Sequence, residues 1–263
     1  MLLQEIDKPF NNKHWITELK FDGIRLILDR SEGIHLYSRQ NHEWTAALPH
    51  LQNLDLPPGT VLDGELILPN DIGQPDFEAL MGQLLSGRTI CRAVYCVFDI
   101  LKYAGETTLS LPLLKRKKLL KSVLSQNESI IQVPFILGNA LEYFNAIKQK
   151  NLEGIVLKKL DSHYYPGKRS NEWLKVVNYQ YINVLITGFR KNRFGLFLSF
   201  HDGSPAGILE FMASRDKKTF FNLASPIEEK NSTVLIQPIQ CQVKYRNLTK
   251  HQRLRLPVFT QFL

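Results

Sequence analysis

The hydrophobic pattern of this chain changes character near Tyr179, and that change limits the folds open to it. Before it, strand-like and helix-like stretches alternate. TELKFDGIRLILDR opens with period-two alternation, with Thr17, Leu19 and Phe21 on one face and Glu18, Lys20 and Asp22 on the other, until Gly23 interrupts it. HLYSRQ, TVLDGELIL (after the turn Pro57-Pro58-Gly59), AVYCVFDIL, LEGIVLKKL and EWLKVVNY read as further strands. DFEALMGQLLSG predicts a helix capped by Asp76 and ended by Gly87, with Phe77, Leu80, Met81 and Leu84 as its apolar stripe. PLLKRKKLLKSVL and NALEYFNAIKQK predict amphipathic helices. Beyond Tyr179, INVLITGF, GLFLSFHD, GILEFM and STVLIQPIQCQVKYRNL predict strands broken by Gly and Asp turns. One helical stretch, Ser214 to about Lys230, interrupts them.

Several strands and one helix in the last 85 residues fit a small β-barrel of the OB type. The expected architecture is therefore α+β in two domains, 1–178 and 179–263. Charge follows the same division. Residues 1–178 hold 21 basic and 20 acidic side chains, whereas residues 179–263 hold 12 and 5, so the second region carries +7 of the net +8. A concentrated basic segment suggests a polyanion partner, with a merely solvated basic surface as the alternative. No apolar run reaches the ~18–20 residues that span a bilayer, which excludes a membrane-spanning helix. The opening MLLQEIDKPF lacks a basic flank and an apolar core, so no secretion signal is expected. Three cysteines without a CxxC pair argue against a disulfide framework or a structural zinc site. A cytoplasmic protein with reduced cysteines is the expectation.

Lys20 is the first candidate for chemistry. A lysine attacks only as the free amine, and burial or a neighbouring cation favours that form. Asp22 and Gly23 follow in a turn, and Gly23 suits close approach of backbone to a phosphate. Four residues alone describe many exposed edge-strand lysines. The ordered set is more selective: KFDGIR at 20–25, SR at 38–39, DGE at 63–65, FD at 98–99, EG at 153–154 and WLK at 173–175.

Together these segments resemble the covalent nucleotidyltransferases, and among them the minimal ATP-dependent DNA ligases of bacteria and phages. YYPGKRSNEWLKVVNY is similar to the ligase domain of bacterial end-joining ligases. The resemblance runs from Glu18 to about Phe259. It implies an adenylyltransferase domain of ATP-grasp-like antiparallel sheets with helices, followed by an OB-fold barrel. It also implies ATP as substrate, Mg²⁺ (or Mn²⁺) as the metal, and nicked duplex DNA as partner to a monomeric enzyme. In such enzymes a lysine takes AMP from ATP, passes it to the 5′-phosphate of a nick, and the 3′-hydroxyl then displaces AMP. The resemblance makes Lys20 the nucleophile and places Glu18 near the adenine edge. It puts Asp22 near the reacting phosphate, Arg25 on a nucleotide or nick phosphate, and Arg39 on the 5′-phosphate. Glu65 becomes a ribose- and metal-linked carboxylate, Phe98 the ring stacked on adenine, and Glu153 a metal ligand. Lys158, Arg169 and Lys175 become phosphate contacts, with Asp99 in support. Trp173 reads as pocket wall or core, with core favoured.

The pattern departs from the family at two places. Many DNA ligases carry a second lysine two residues after the one matched by Lys175, where this sequence has Val177. RLRLPVFTQFL resembles the start of the barrel's closing motif, without the charged run that usually follows, so Arg253 and Arg255 are the nearby cations left to orient pyrophosphate. Only 17 residues precede the first strand motif, so DNA grip is expected from the two domains themselves. Basic residues of the barrel such as Arg190, Lys191, Arg193, Lys217, Lys218, Lys244 and Arg246 would meet phosphates. An RNA ligase, a capping-type guanylyltransferase and a degenerate end-binding module remain alternatives.

Overall fold

A computed structural model describes residues 1–263, which divide into two compact units, Met1–Asn178 and Tyr179–Leu263. In chain order the first unit contains β1 (Leu2–Glu5), β2 (Trp15–Leu19), β3 (Ile24–Arg30), β4 (His35–Ser38), β5 (Thr60–Ile67), α1 (Phe77–Leu85), β6 (Val94–Tyr103) and β7 (Glu106–Thr107). It continues with α2 (Leu113–Val123), β8 (Ile130–Gln132), β9 (Phe135–Leu137), α3 (Ala140–Gln149), β10 (Gly154–Lys159) and β11 (Arg169–Val177). The second unit contains β12 (Gln180–Arg190), β13 (Leu196–Ser199), β14 (Pro205–Leu209), α4 (Ser214–Leu223), β15 (Pro226–Glu229), β16 (Thr233–Tyr245) and β17 (Val258–Phe262). The fold is α+β, as the sequence predicts. No helix is long and apolar enough to cross a membrane.

Two sheets build the first unit. One has the order β1-β11-β10-β2-β9; it is antiparallel except for the parallel pair β1–β11. The other has the order β4-β3-β5-β6-β7, with β8 added parallel to β6. Strand alternation gives each sheet two distinct faces. In the first sheet Ile155, Leu157, Leu174 and Val176 pack under Ala140, Phe144 and Ile147 of α3. The opposite face carries Glu18, Val156 and Lys175 in one row, with Ile16, Lys158 and Trp173 in the next. In the second sheet Leu26, Leu28, Leu62, Leu66, Tyr95 and Val97 form the largest core with Leu80 and Leu84 of α1. A smaller cluster, with Ile16 and Trp173 from one sheet, Phe98 from the other and Leu113 and Tyr164 beside them, joins the sheets.

Helix α1 follows its sequence signals: Asp76 accepts a hydrogen bond from the Ala79 N–H, and the helix stops before Gly87 at a φ of +68°. Other expectations change. Strand β2 ends at Leu19, one residue before Lys20, because the chain then leaves the first sheet to begin β3 in the second. Gly23 answers a packing need rather than a ligand. A side chain there would put its Cβ 2.2 Å from the Leu66 carbonyl oxygen. In the second unit the helix after Ser214 ends at Leu223, not near Lys230. Ala224 turns extended and Pro226 opens an additional strand, β15.

The second unit is one curled antiparallel sheet, β14-β13-β12-β16-β15, with β17 also paired to β16. Its core holds Val184, Ile186, Leu196, Leu198, Cys241 and Val243, closed by Phe220 of α4. Cys91 is exposed while Cys96 and Cys241 are buried, and all three are free thiols.

Like Gly23, Gly154 sits where a side chain would meet neighbouring backbone. A Cβ at this position would lie 2.2 Å from the Val176 carbonyl oxygen, on the neighbouring strand. Gly154→Ala should therefore push β10 off β11 and cost the first unit on the order of 2–4 kcal/mol in urea denaturation. A loss below about 0.5 kcal/mol would show that the strands adjust freely.

Candidate functional site

The charged groups of the first unit collect where its two sheets face each other. Lys20 stands just past the end of β2, and its backbone N–H still donates to the Gly154 carbonyl at 3.0 Å. That bond sets the residue beside Glu153, immediately ahead of β10. The Lys20 Nζ donates to both oxygens of Glu153 at 2.8 Å, and Glu153 is almost wholly buried. The KFDG and EG segments, 133 residues apart, thus meet as one pair.

Glu65 lies on β5, directly opposite Arg25 of β3. Burial pushes its carboxyl up to about 8. Lys20 acts against the rise, and the negative charge of Glu153 adds to it. Glu153 and, once it releases its proton, Glu65 offer hard oxygen donors, and such a pair fits the Mg²⁺ that the resemblance implies.

Arg25 is committed elsewhere. Its Nε and Nη2 donate to the two oxygens of Asp63 at 2.9 and 2.6 Å, Nη2 also reaches the Tyr164 hydroxyl, and Nη1 donates to the Met1 carbonyl. Tyr164 in turn donates to Asp63 at 2.8 Å. Burial works against the guanidinium charge, but Asp63 holds it firmly protonated. Four of the five N–H groups of Arg25 are thus used inside the protein, so a phosphate contact by this residue would require one of those bonds to be released.

Glu18 also differs from a solvent-facing strand carboxylate. It is buried, and its two oxygens serve two lysines: Oε1 pairs with Lys117, and Oε2 with Lys158 at 2.7 Å. Burial opposes its charge, yet the two ammonium groups hold its carboxyl below the ordinary range. Lys158 is buried as well, with its Nζ 4.3 Å from the Phe98 ring centroid and 4.2 Å from that of Trp173. Desolvation lowers its ammonium to about 8, against the pull of Glu18 and with the push of Lys117. Phe98 also meets Trp173 edge-on at 6.3 Å and lies 5.6 Å under the Arg25 guanidinium. Trp173 is core, 1% exposed, with its ring N–H on the Ser162 hydroxyl.

The remaining candidates are spread out. Lys175 pairs with Glu5 of β1 at 2.9 Å and stays partly exposed on the row of Glu18. Asp22 sits in the turn between the two sheets. Arg39 is exposed, one residue past Ser38, which pairs with Leu26 next to Arg25. Arg169 is not brought to the cluster. It begins β11 six residues before Lys175, about 20 Å along an extended strand, and donates to the Leu3 carbonyl. The edge pairing of β1 with β11 draws it there.

Sequence reading missed Arg116 and Lys117. Arg116 is fully buried, grips Asp99 through two bonds at 2.8 and 2.9 Å, and donates to the Ser162 carbonyl at 3.0 Å. Asp99 of β6 is thereby tied to α2. The signal was present. Leu113, Arg116, Lys117 and Leu120 fall at i, i+3, i+4 and i+7, the inward face of α2.

Comparison with known proteins places this geometry among relatives. Residues 2–176 match the family described as ATP dependent DNA ligase domain. The SPbeta prophage-derived DNA ligase-like protein LigB of Bacillus subtilis is 46% identical over 260 residues, covering 98% of this chain and 96% of that protein. The multifunctional non-homologous end joining protein LigD of Mycolicibacterium smegmatis is 33% identical over 71% of this chain, which spans 24% of that larger protein. In fold, a Lig E DNA ligase studied as a minimal DNA-binding scaffold aligns over the whole of both chains with a TM-score of 0.70 at 16% identity. The ligase domain of Mycobacterium tuberculosis LigD aligns over 99% of this chain and 94% of that domain, with a TM-score of 0.59 at 22% identity.

The raised Glu65 carboxyl makes stability depend on pH. Its folded value of about 8 lies above the unfolded 4.5, so the folded state holds the proton more tightly. The stabilisation is complete below about 4.5 and lost as pH rises through 8. In metal-free buffer, the unfolding free energy should fall over this range by on the order of 2 kcal/mol, discounted for partial exposure. Glu65→Gln should flatten the slope, and an equal slope in that variant would contradict the assignment.

Proposed function

Because the chain belongs to the ATP-dependent DNA ligase family, we propose that it seals 5′-phosphate/3′-hydroxyl nicks in duplex DNA through a covalent lysyl-AMP. The observation that carries this reading is the bidentate Lys20–Glu153 pair beside a surplus carboxylate, Glu65. A nucleophilic amine, a conjugate carboxylate and a second acid within one cleft suit in-line displacement at phosphorus.

The steps follow from these groups. The Lys20 amine, released from Glu153 and freed of its proton, attacks the α-phosphorus of ATP. A P–N bond forms, the bond to pyrophosphate breaks, and pyrophosphate leaves with the electron pair. The 5′-phosphate of the nick then displaces Lys20 from AMP. Finally the 3′-hydroxyl attacks that phosphate, and AMP departs. Glu65 and Glu153 would hold Mg²⁺, which supplies charge neutralisation for the phosphates. Lys175, partly exposed on the row of Glu18, is placed to meet a phosphate once it leaves Glu5. Phe98 lines the cleft with the buried Trp173 behind it, and Glu18, whose oxygens Lys117 and Lys158 occupy, is an acceptor-only carboxylate suited to an amino group on a purine edge once one of them moves. The catalytic domain is residues 1–178, and residues 179–263 form the OB-fold domain. That second region, with its excess of +7, adds the sequence-independent hold on duplex phosphates. Arg39, exposed near the start of β3, is suited to the 5′-phosphate.

Purified chain with ATP and Mg²⁺ should convert a nicked duplex labelled at its 5′-phosphate into sealed strand. Lys20→Ala should abolish both sealing and the labelled protein adduct formed with α-labelled ATP, by at least 10³-fold. Sealing restricted to RNA nicks would replace the substrate. An adduct that survives in Lys20→Ala would remove the nucleophile from the scheme.

A further inference from the structure

Lys117 reaches the cleft from α2, which otherwise serves the core. Its side chain is 1% exposed, and its Nζ pairs with Glu18 Oε1 while Lys158 takes Oε2. The neighbouring acids are already matched. Asp99 holds Arg116 through two bonds, and Asp63 holds Arg25 and accepts from Tyr164. One buried carboxylate therefore faces two buried ammonium groups, leaving one positive charge in excess. Such an excess is costly in a dry site unless an anion arrives to match it.

We propose that Lys117 is a positioning residue for the nucleotide: by occupying one oxygen of Glu18 it keeps Lys158 only partly neutralised, so that Lys158 can pass from the carboxylate to a phosphate oxygen of ATP. The inference rests on the reading of this cleft as the ATP site. Without Lys117, Glu18 would serve Lys158 alone and hold it more firmly. Burial lowers the Lys158 ammonium to about 8, Glu18 works against that fall, and Lys117 adds to it. Groups facing Lys158 are Glu18 from β2, Lys117 from α2, Asp99 with its partner Arg116, and the rings of Phe98 and Trp173. Arg25 lies across the Phe98 ring, and the Met1 amino group nearby is pushed down to about 5, so it is neutral at working pH.

The test is calorimetric binding of Mg·ATP to the full chain carrying Lys20→Ala, so that no AMP is transferred, between pH 6.5 and 9.5. In this background affinity should fall as pH rises through about 8, when Lys158 loses its proton. Adding Lys117→Met should weaken binding about tenfold at pH 7 and move the fall upward by one pH unit or more. Lys117→Arg keeps the charge and should keep the midpoint. Glu65 titrates in the same range, but its contribution is common to every variant. A merely structural Lys117 would change affinity or folding and leave the midpoint in place, so an unchanged midpoint in folded Lys117→Met overturns the proposal. If Lys117→Met does not fold, Lys117→Gln decides in the same way, and a folded Lys117→Arg with a displaced midpoint also overturns it. Absence of ATP binding to the background protein at every pH would overturn the nucleotide reading itself.

Discussion

Charge withdrawn from water has to be matched nearby, and the space between the two sheets of the first unit is organised by that requirement. Lys20 with Glu153, Arg25 with Asp63, Arg116 with Asp99, and Glu18 with Lys117 and Lys158 form a closely placed series. Partners in most of these pairs come from elements distant in sequence. The pairs therefore join β2 to β10, β3 to β5 and α2 to both sheets. Breaking such a pair by removing one partner leaves an uncompensated buried charge, which costs far more than the pair contributes net. The mismatches matter most: Glu65 lacks a full cation, and Lys158 lacks a full anion.

Much of this was legible from sequence because strands and helices follow local periodicity. The cap at Asp76, the inward apolar stripes and the β-rich character after Tyr179 all follow from it. Lys20, Glu65 and Glu153 stood out through the resemblance, and the fold brings Lys20 and Glu153 into contact. What stayed hidden was where donors end up. Arg25 looks like a phosphate ligand in a string of letters, yet its fork fits Asp63 across the β3–β5 ladder. Glu18 looks solvated until α2 is laid over it. Only the packing of α2 turns Lys117 inward, although the helical period gave a hint. Arg169 lies apart for a different reason: the parallel pairing of β1 with the start of β11 draws it to the far end of the sheet.

The glycines of the segments that frame the cleft carry a related lesson. Gly23 and Gly154 accompany an aspartate and a glutamate in the sequence, which invites a reading in terms of phosphate. In the fold each is required by a neighbouring strand, whose carbonyl oxygen lies where a side chain would begin. Residue types that look like ligand machinery can thus be the means by which two backbones come close enough to present that machinery.

The parallel pairing of β1 with β11 bears on how the molecule is made. Leu2–Glu5 has no sheet partner until residues 169–175 exist, and β2 meets its first partner, β9, only at residues 135–137. During synthesis the leading strands must remain unpaired while roughly 100 residues or more are added. The second sheet of the unit, whose strands β3, β4 and β5 adjoin in sequence, can assemble first and shelter its own core. Lys20 then meets Glu153 only when the later strands of the unit close, so this ion pair is completed at the end of domain folding rather than during it.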